Sequence, residues 1–391
     1  MKAAMRILFA FLLILPALAD AGDLRGTGSL GLVIERATGS VLIVDFMARR
    51  SVGRVQGLGD LSHASAVFSP DQRYAFVFGR DGGLTKVDLL TASIAKRVVQ
   101  AGNAIGGAIS DDGTLIAVSN YEPGGVRVFA ADTLEPVATI PAIGADGKSS
   151  KTVGLVDLPG RRFAFALYDA GEIWVADLSA PEKFTVEKLT GVGKLPYDGN
   201  VTPNGRHYLA GLFGEDGVVH VDTWQAPLKA RRILDRYGRG EESLPVYKMP
   251  HLEGWAAVGD RLLLPAVGRH ELIAVDMRSF AEAGRVATHG QPVFAVARPD
   301  GRQVWVNFAH PKNDTIDVVD VQSMKLVHRF APGPAVLHLE FTPRGNEVWI
   351  SVRDANRIDV YDTATFTKKA EIPAEKPSGI FFAARSTRIG Q

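Results

Sequence analysis

The sequence of 391 residues contains no cysteine. It can therefore form no disulfide, hold no iron–sulfur cluster, supply no thiolate nucleophile and carry neither a CxxCH haem attachment nor a lipid-modified cysteine. An excess of charge is also lacking, because 44 Lys+Arg oppose 43 Asp+Glu for a net charge of +1. This balance gives no electrostatic reason to expect a nucleic-acid partner or an anionic membrane. Any chemistry must use histidine, carboxylates, hydroxyls or a bound cofactor.

Long apolar runs are absent as well, apart from one near the N-terminus. Lys2 and Arg6 precede an apolar run over residues 7–15, and residues 17–19 place small side chains at the −3 and −1 positions of a signal-peptidase site. The run is too short to span a bilayer, which needs about 20 residues. We therefore predict a signal peptide over residues 1–19, cleaved after Ala19, and export of a soluble protein with no membrane span, most simply to a bacterial periplasm. A membrane-anchored N-terminus is the alternative, which the length of the run disfavours.

What the sequence does contain is a repeated unit. This unit recurs along the chain. It consists of an alternating apolar strand, a Pro/Asp/Gly turn, a second strand, another turn and a third strand that ends in Val-x-Asp or a similar sequence. Proline fixes one corner of such a turn, and glycine or asparagine accepts the left-handed corner. The third strands end at Asp45, Asp88, Ala130, Asp177, Asp222, Asp276, Asp320 and Asp362. A period of about 40 to 50 residues with several short strands is typical of a β-propeller, and no stretch has a convincing helical period.

The eight third strands predict an all-β, eight-bladed β-propeller over residues 24–385. The first unit begins at residues 30–34, which match a second strand, so its own first strand is missing. Residues 377–382 have first-strand character, and no blade follows them. We expect this C-terminal strand to complete the N-terminal blade and so remove two open sheet edges. The longest interval between third strands indicates an exposed inserted loop at residues 236–250.

Equivalent positions in the repeats identify a candidate site at one mouth of the central channel. His63 and His251 share one register, seven residues before the turn proline or its equivalent, where an innermost strand starts. Imidazole can ligate iron or transfer protons near neutral pH. Lysine, arginine and tyrosine around it would suit a flat, polycarboxylated ligand. The same rim and the adjacent loops carry Arg80, Tyr121, Lys148, Lys151, Lys194, Tyr197, Asp198, Asn200, Gln291, His338, Tyr247 and Lys248.

Structural explanations compete with this interpretation. A single histidine at a strand start is more often a hydrogen-bonded structural residue, and Asp198 could simply cap the turn over residues 198–200. The aspartates that end third strands are expected to be turn residues, and Trp174, Trp305 and Trp349 to pack between blades. Six other histidines, with no partner cluster, are assigned no chemistry: His207, His220, His270, His289, His310 and His328. The motifs GxSxG, HExxH and the Walker loop are absent.

Four segments resemble the d1-haem domain of cytochrome cd1 nitrite reductase. They are residues 63–89, residues 120–136, Tyr197-Asp198-Gly199 and Met249-Pro250-His251. In that domain the first segment opens with the proximal histidine of haem d1, and the fourth carries a distal-pocket histidine. Residues 24–36 and 251–255 are still more similar to the NirF proteins, a periplasmic family with the same propeller that is needed for making haem d1. The resemblance covers nearly all of the chain after the signal peptide.

The resemblance implies that the ligand is haem d1 or its precursor, with His63 as the axial ligand of the haem iron and no other metal. It also departs from the enzyme pattern. The second distal histidine falls near Arg298 and is absent, and Ala66 replaces an arginine. No cytochrome c domain precedes the propeller, so nitrite reduction is not expected.

The resemblance further implies a role in side-chain modification or dehydrogenation of a late tetrapyrrole. We expect His251 and Asp198 to be the catalytic residues, with His251 transferring protons. The residues expected to contact the ligand are His63, Arg80, Tyr121, Lys151, Tyr197, Lys248 and Arg298. Cytochrome cd1 nitrite reductase and other haem d1 maturation proteins are the expected partners. A non-catalytic haem d1 carrier and a protein-docking propeller are the alternatives.

Overall fold

The structure, a computed structural model, describes residues 26–237 and 254–390. These residues form eight four-stranded antiparallel sheets that are arranged as the blades of a propeller. The eight-bladed, all-β prediction is confirmed. The helical residues described are four short 3₁₀ turns: Pro181–Lys183, Val267–Arg269, Arg353–Ala355 and Ala383–Thr387. No helix in the described ranges is long and apolar enough to cross a membrane.

Each blade has one strand at the channel and three that follow it outwards. Blade 1 contains, in that order, β32 (Pro377–Phe382), β1 (Leu30–Glu35), β2 (Ser40–Asp45) and β3 (Arg50–Val55). Blade 2 contains β4 (Ser65–Phe68), β5 (Tyr74–Phe78), β6 (Gly83–Asp88) and β7 (Ser93–Val99). Blade 3 contains β8 (Asn103–Ile109), β9 (Leu115–Glu122), β10 (Val126–Ala130) and β11 (Pro136–Ile140). Blade 4 contains β12 (Thr152–Leu158), β13 (Arg162–Leu167), β14 (Glu172–Asp177) and β15 (Thr185–Leu189).

The other four blades follow the same order. Blade 5 contains β16 (Pro196–Val201), β17 (His207–Leu212), β18 (Val218–Asp222) and β19 (Ala230–Ile233). Blade 6 contains β20 (Ala256–Val258), β21 (Arg261–Ala266), β22 (Glu271–Asp276) and β23 (Glu282–Ala287). Blade 7 contains β24 (Pro292–Ala297), β25 (Gln303–Phe308), β26 (Ile316–Asp320) and β27 (Lys325–Phe330). Blade 8 contains β28 (Val336–Phe341), β29 (Glu347–Val352), β30 (Arg357–Asp362) and β31 (Lys368–Pro373).

The ring is closed by the last strand, as expected from the sequence. Strand β32 pairs antiparallel with β1, with Leu32 opposite Phe381 and Val33 opposite Ile380. Both strands are buried almost throughout. The closure therefore supplies partners to two strand edges that would otherwise present unpaired amide and carbonyl groups.

The turns of the repeat have the predicted chemistry. Gly113 closes a hairpin with φ of 72°, and Gln72 occupies the equivalent position in blade 2 with φ of 60°. The aspartate that ends a third strand accepts backbone N–H groups of the following turn, as Asp45 does from Met47 and Ala48 at 3.0 and 3.1 Å. The same pattern holds at Asp88, Asp177, Asp222, Asp276, Asp320 and Asp362. These aspartates are turn residues, as predicted.

The core lies between neighbouring blades. Trp305 of blade 7 packs edge-on against Phe341 of blade 8 with ring centroids 5.5 Å apart, and Trp349 of blade 8 packs against Phe382 of blade 1 at the same distance. These tryptophans and Trp174 are at most 1% exposed. The inter-blade role predicted for them is confirmed at Trp305 and Trp349 by direct ring contacts.

The propeller has two mouths, which differ in construction. Inner-strand starts and the turns between second and third strands surround one of them, which we call the His63 mouth. The far mouth is crossed by the C-terminal segment, residues 383–390. In this segment Arg385 forms a buried bidentate ion pair with Glu340 of β28, and the N–H of Gly390 donates to Asp157 of blade 4 at 2.8 Å. The segment therefore ties the last strand to the opposite side of the ring.

Candidate functional site

A cavity of about 470 Å³ opens at the His63 mouth between blades 7, 8, 1 and 2. Its volume lies within the range of ordinary small-molecule sites, about 300–1,000 Å³. Its apolar side chains come from the inner strands and from β25. The apolar lining consists of Val293, Phe294, Phe308, Val336, Leu337 and Phe381. A flat apolar ligand could pack on this surface while polar groups at the rim fix its orientation.

His63 lies two residues before β4 and lines this cavity. Burial, as the largest cause, and the positive charges of Arg80 and Arg36 together lower the pKa of His63 to about 4, against an opposing effect of Asp60. The imidazole is therefore neutral near pH 7. A neutral ring nitrogen is the form that binds a metal, so the local field keeps His63 in the state that iron ligation requires.

A wall of aromatic and basic side chains continues the rim through blades 2 to 5. The Tyr121 and Tyr197 hydroxyls are hydrogen-bonded at 2.7 Å, and Tyr168 packs edge-on against Tyr197 with centroids 5.7 Å apart. Arg80 lies over the Tyr121 ring at 5.0 Å, and the Lys151 ammonium lies 5.6 Å from the Tyr168 centroid. We call these five residues the tyrosine wall. It presents hydroxyl donors and two cations beside the His63 cavity.

Tyr121 and Tyr168 of this wall keep their protons. Burial is the largest cause that raises the pKa of Tyr121 and of Tyr168. The phenol groups are therefore hydrogen-bond donors at neutral pH, and they can donate to a carboxylate or carbonyl oxygen.

His338 of β28 stands deeper in the channel. Its Nδ1 accepts a hydrogen bond from the backbone N–H of Ile380 at 3.2 Å, so in the neutral ring the proton is on Nε2. Its ring lies 5.3 Å from the rings of both Phe294 and Phe381, and burial lowers its pKa to about 4. His338 lines both the His63 cavity and a second cavity of about 680 Å³ behind it.

The structure brings most of the described candidate residues to one mouth. His63, Arg80, Tyr121, Lys151 and Tyr197 lie around the same rim, as the repeat register implied. Their roles in binding stay predictions, because placement alone does not test them.

The other candidates divide into two groups. Lys248 and His251 lie outside the described residues, as does most of the inserted loop, and Asp198 is placed in β16 without a description of its side chain. Arg298 is not brought to the His63 mouth. It follows the far end of β24, lines the second cavity and pairs with Asp300 at 2.5 Å. The resemblance placed Arg298 among the ligand contacts, near the absent second distal histidine, and its role in binding stays a prediction. The two ends of an inner strand lie at opposite mouths.

Several cavity residues were missed by sequence reasoning. Arg36, His310 and Arg353 line the cavity from turns between second and third strands of blades 1, 7 and 8, and Asn307 lines it from β25. The register comparison was applied to inner-strand starts alone. The same comparison at the second turn of each repeat would have found the three turn residues.

The expectation that His207 and His220 lack a partner cluster was wrong. His220 Nε2 lies 3.1 Å from His207 Nδ1, and Arg231 Nε donates to His220 Nδ1 at 3.0 Å. Phe280 of blade 6 packs on both imidazole rings. Adjacent strands of blade 5 bring the two histidines together, a pairing that their 13-residue separation conceals.

Comparison with known proteins places the site in context. The family model described as the Cytochrome D1 heme domain matches residues 25–386. The chain belongs to that family. Two proteins called Protein NirF resemble this Cytochrome D1 heme domain chain: that of Pseudomonas aeruginosa is 54% identical over 97% of each chain, and that of Stutzerimonas stutzeri is 54% identical over 94% of each. A solved structure of the dihydro-haem d1 dehydrogenase NirN in complex with DHE has a TM-score of 0.80 and 25% identity, covering 95% of this chain and 78% of that one.

Proposed function

We propose that this protein takes part in haem d1 biosynthesis by binding a late tetrapyrrole intermediate at the His63 mouth. The observation that carries the proposal is the position of His63 in an apolar cavity beside the tyrosine wall. Membership of the Cytochrome D1 heme domain family, the similarity to NirF proteins and the ligand-bound NirN relative support it.

The residues present fit a tetrapyrrole. His63 would hold its iron, and the apolar lining would contact the faces of the macrocycle. The Ser65 hydroxyl, which also lines the cavity, is buried without a hydrogen-bond partner among the described residues. A buried hydroxyl without a partner is costly, so a ligand group or water that bonds to it is favoured. Arg80 and Lys151 would attract the carboxylates of the ligand.

We further propose that the protein acts on a side chain of the bound tetrapyrrole, by modification or by dehydrogenation, in which two electrons and two protons leave the side chain and the electrons pass to an external acceptor. The conjugated macrocycle and its iron supply redox chemistry when bound. The chain itself holds the ligand and excludes water with its phenylalanines. It offers two donors, which are His338 Nε2 and whichever hydroxyl of the Tyr121–Tyr197 pair does not donate to the other. His251 and Asp198 stay as proposed proton-transfer residues.

The first experiment is an optical titration of the purified protein with haem d1 and with its dihydro precursor. The variant His63→Ala should lose the spectrum of the histidine-ligated iron and bind at least tenfold more weakly, because the axial bond is removed. His328→Ala is the matched control, since His328 stacks on Phe366 at 4.1 Å on the outer strand of blade 7. A wild-type spectrum and affinity in His63→Ala would exclude His63 as the ligand.

A turnover assay separates the enzyme from a carrier. The mass of the tetrapyrrole is followed over time with the protein in catalytic and in stoichiometric amounts. A change in mass in both cases supports modification, and an unchanged ligand that passes to nitrite reductase supports delivery. Failure of the wild-type protein to bind any tetrapyrrole favours a protein-docking propeller.

The place of action follows from the proposed export. We propose a periplasmic protein that is cleaved after Ala19 and acts with cytochrome cd1 nitrite reductase and the other haem d1 maturation proteins. Residues 1–25 lie outside the described ranges. The mass of the mature protein from a periplasmic fraction tests the cleavage.

A further inference from the structure

One seam of the ring, meaning the interface between two neighbouring blades, is closed by histidines. The residue two positions before the end of a third strand packs against the next blade, and in six blades it is apolar. These six residues are Ile43, Val128, Val175, Ala274, Val318 and Val360. Blade 2 has Lys86 there, which donates to the carbonyl of Asp132 in blade 3 at 2.8 Å. Blade 5 has His220, which is 5% exposed, so a titratable ring lies inside the seam between blades 5 and 6.

A chain of hydrogen bonds within blade 5 holds His220 in place. Arg231 of β19 donates from Nε to His220 Nδ1 at 3.0 Å. Because that nitrogen accepts, the neutral ring carries its proton on Nε2 and donates it to Nδ1 of His207 at 3.1 Å. Phe280 of blade 6 covers the pair, with its ring centroid 4.1 Å from that of His220 and 4.9 Å from that of His207. The contact between the two blades at this point therefore depends on both imidazoles.

This chain of hydrogen bonds is compatible with neutral imidazoles alone. A second proton on His220 would be on Nδ1 and would face the Nε–H of Arg231. A second proton on His207 would also be on Nδ1 and would face the Nε2–H of His220. Either proton replaces a hydrogen bond by a contact between two donors, and it places a charge where water has been removed. Burial is accordingly the largest cause that lowers the pKa of His207 and of His220, the latter to about 4.

The charged groups that act most strongly on the pair belong to blade 5. Arg231 and Arg206 disfavour a second proton on either histidine, and Asp222 favours one. Arg206 also pairs with Asp222 at 2.7 Å, so one cation already balances that carboxylate. Blade 6 contributes the ring of Phe280, which offers a charged imidazole no hydrogen bond. A protonated pair would therefore be better accommodated with the seam open and the imidazole rings in water.

We propose that His207 and His220 form an acid-sensitive latch on the seam between blades 5 and 6. Protonation of the pair breaks the chain of hydrogen bonds, and the seam then opens locally while the seams that are closed by apolar residues stay shut. The direction follows from proton linkage, because the open seam binds the proton more tightly than the closed seam does, so acid favours the open seam. The inference goes beyond the proposed function and does not depend on tetrapyrrole binding.

The lack of cysteine makes the latch measurable, because a single introduced thiol has no competitor. Val218→Cys places the thiol in the seam between blades 5 and 6, and Ile316→Cys, the matched control, places it at the equivalent position of blade 7; both side chains are fully buried. Labelling by a dipyridyl disulfide, which reacts in acid, is measured at pH 7.5 and 5.0 and divided by the rate for an unfolded cysteine peptide. With a pKa of about 4 in the closed seam and about 6.5 in the open seam, opening at Val218→Cys should rise about 25-fold. At pH 5.0 it should exceed opening at Ile316→Cys by at least tenfold.

Further substitutions assign the response to His220. With His220→Leu, the apolar type of the other blades, or with His220→Gln, which does not titrate, labelling of Val218→Cys should change less than threefold between the two pH values. His328→Leu removes a histidine that stacks on Phe366, and it should leave the response unchanged. A response that persists in His220→Gln would overturn the inference. Equal labelling of Val218→Cys and Ile316→Cys at pH 5.0 would show global unfolding and overturn it whether or not the His220 variants fold.

Discussion

At the scale of single residues, the surroundings of two histidines in the channel lower their pKa values and keep them neutral. His63 and His338 both have a pKa near 4, His63 through burial and two neighbouring arginines and His338 through burial. The two rings differ in what they can do. His63 is at the rim, where a ligand can reach it, whereas His338 is fixed in one tautomer by Ile380. The proposed metal ligand and the N–H donor are thus the same residue type in different surroundings.

The buried His338 makes stability depend on pH. In the unfolded chain its pKa returns to about 6.5, so on acidification the unfolded state takes up the proton first and stability falls from pH 6.5 down to about 4. A shift of this size corresponds to about 3 kcal/mol at most. In urea unfolding at a series of pH values, His338→Gln should lose less stability than the wild type over this interval, since an amide does not titrate. Parallel pH curves for the two proteins would contradict the prediction.

Sequence reasoning succeeded at residues whose position is fixed by the repeat and failed elsewhere. His63, Lys151 and Tyr197 were found because inner-strand starts can be compared between blades. Arg36 was overlooked because it lies in a turn between second and third strands and not at an inner-strand start. Arg298 came from the resemblance alone, and a resemblance in sequence does not say at which end of an inner strand a residue lies.

At the scale of elements, the turns and the closing strand determine the architecture. Each third strand ends in a turn that an aspartate usually stabilises, so the regular spacing of these aspartates was enough to count the blades. The pairing of β32 with β1 could also be anticipated, because the first blade lacks its inner strand and the last strand has no blade after it to join. The course of residues 383–390 across the far mouth was not foreseen, since nothing in its sequence repeats.

Removal of the closing strand should unfold the ring rather than shorten it. A chain ending at Lys376 lacks β32 and the Arg385–Glu340 ion pair, and it leaves Glu340 buried without its cation. We expect it to lose cooperative thermal unfolding and to expose apolar surface to a fluorescent dye. A chain ending at Thr387 is the control, because it keeps both features. Equal unfolding temperatures for the two truncations would refute the assigned role of β32.

At the scale of the whole molecule, the two cavities differ in their balance of charge. The second cavity is the larger, yet Arg298 and Arg385 within it are each paired with a carboxylate. The His63 cavity holds an arginine with no counter-ion in the described part of the chain. This difference in charge balance depends on side chains from blades that are far apart in the sequence. It could be recognised only from the folded structure.

One tetrapyrrole per chain is the expected stoichiometry. Native mass spectrometry of the protein with an excess of iron coproporphyrin, a tetracarboxylate iron tetrapyrrole, should show a single added ligand, because His63, the proposed iron ligand, lies at one of the two mouths. The ligand should also raise the unfolding temperature, since it binds the folded chain. In His63→Ala the bound fraction should fall without the appearance of a second species. Two ligands bound per wild-type chain with similar affinity would contradict this prediction.

The C-terminal segment affects how a ligand can reach the central channel. Residues 383–390 lie across the back of the channel, and His338 divides the space in front of them from the space behind. Among the described residues, this segment covers part of the far mouth, and no comparable segment crosses the His63 mouth. If the ligand enters and leaves at the His63 mouth, the protein that delivers it and the protein that collects it cannot occupy that mouth at the same time.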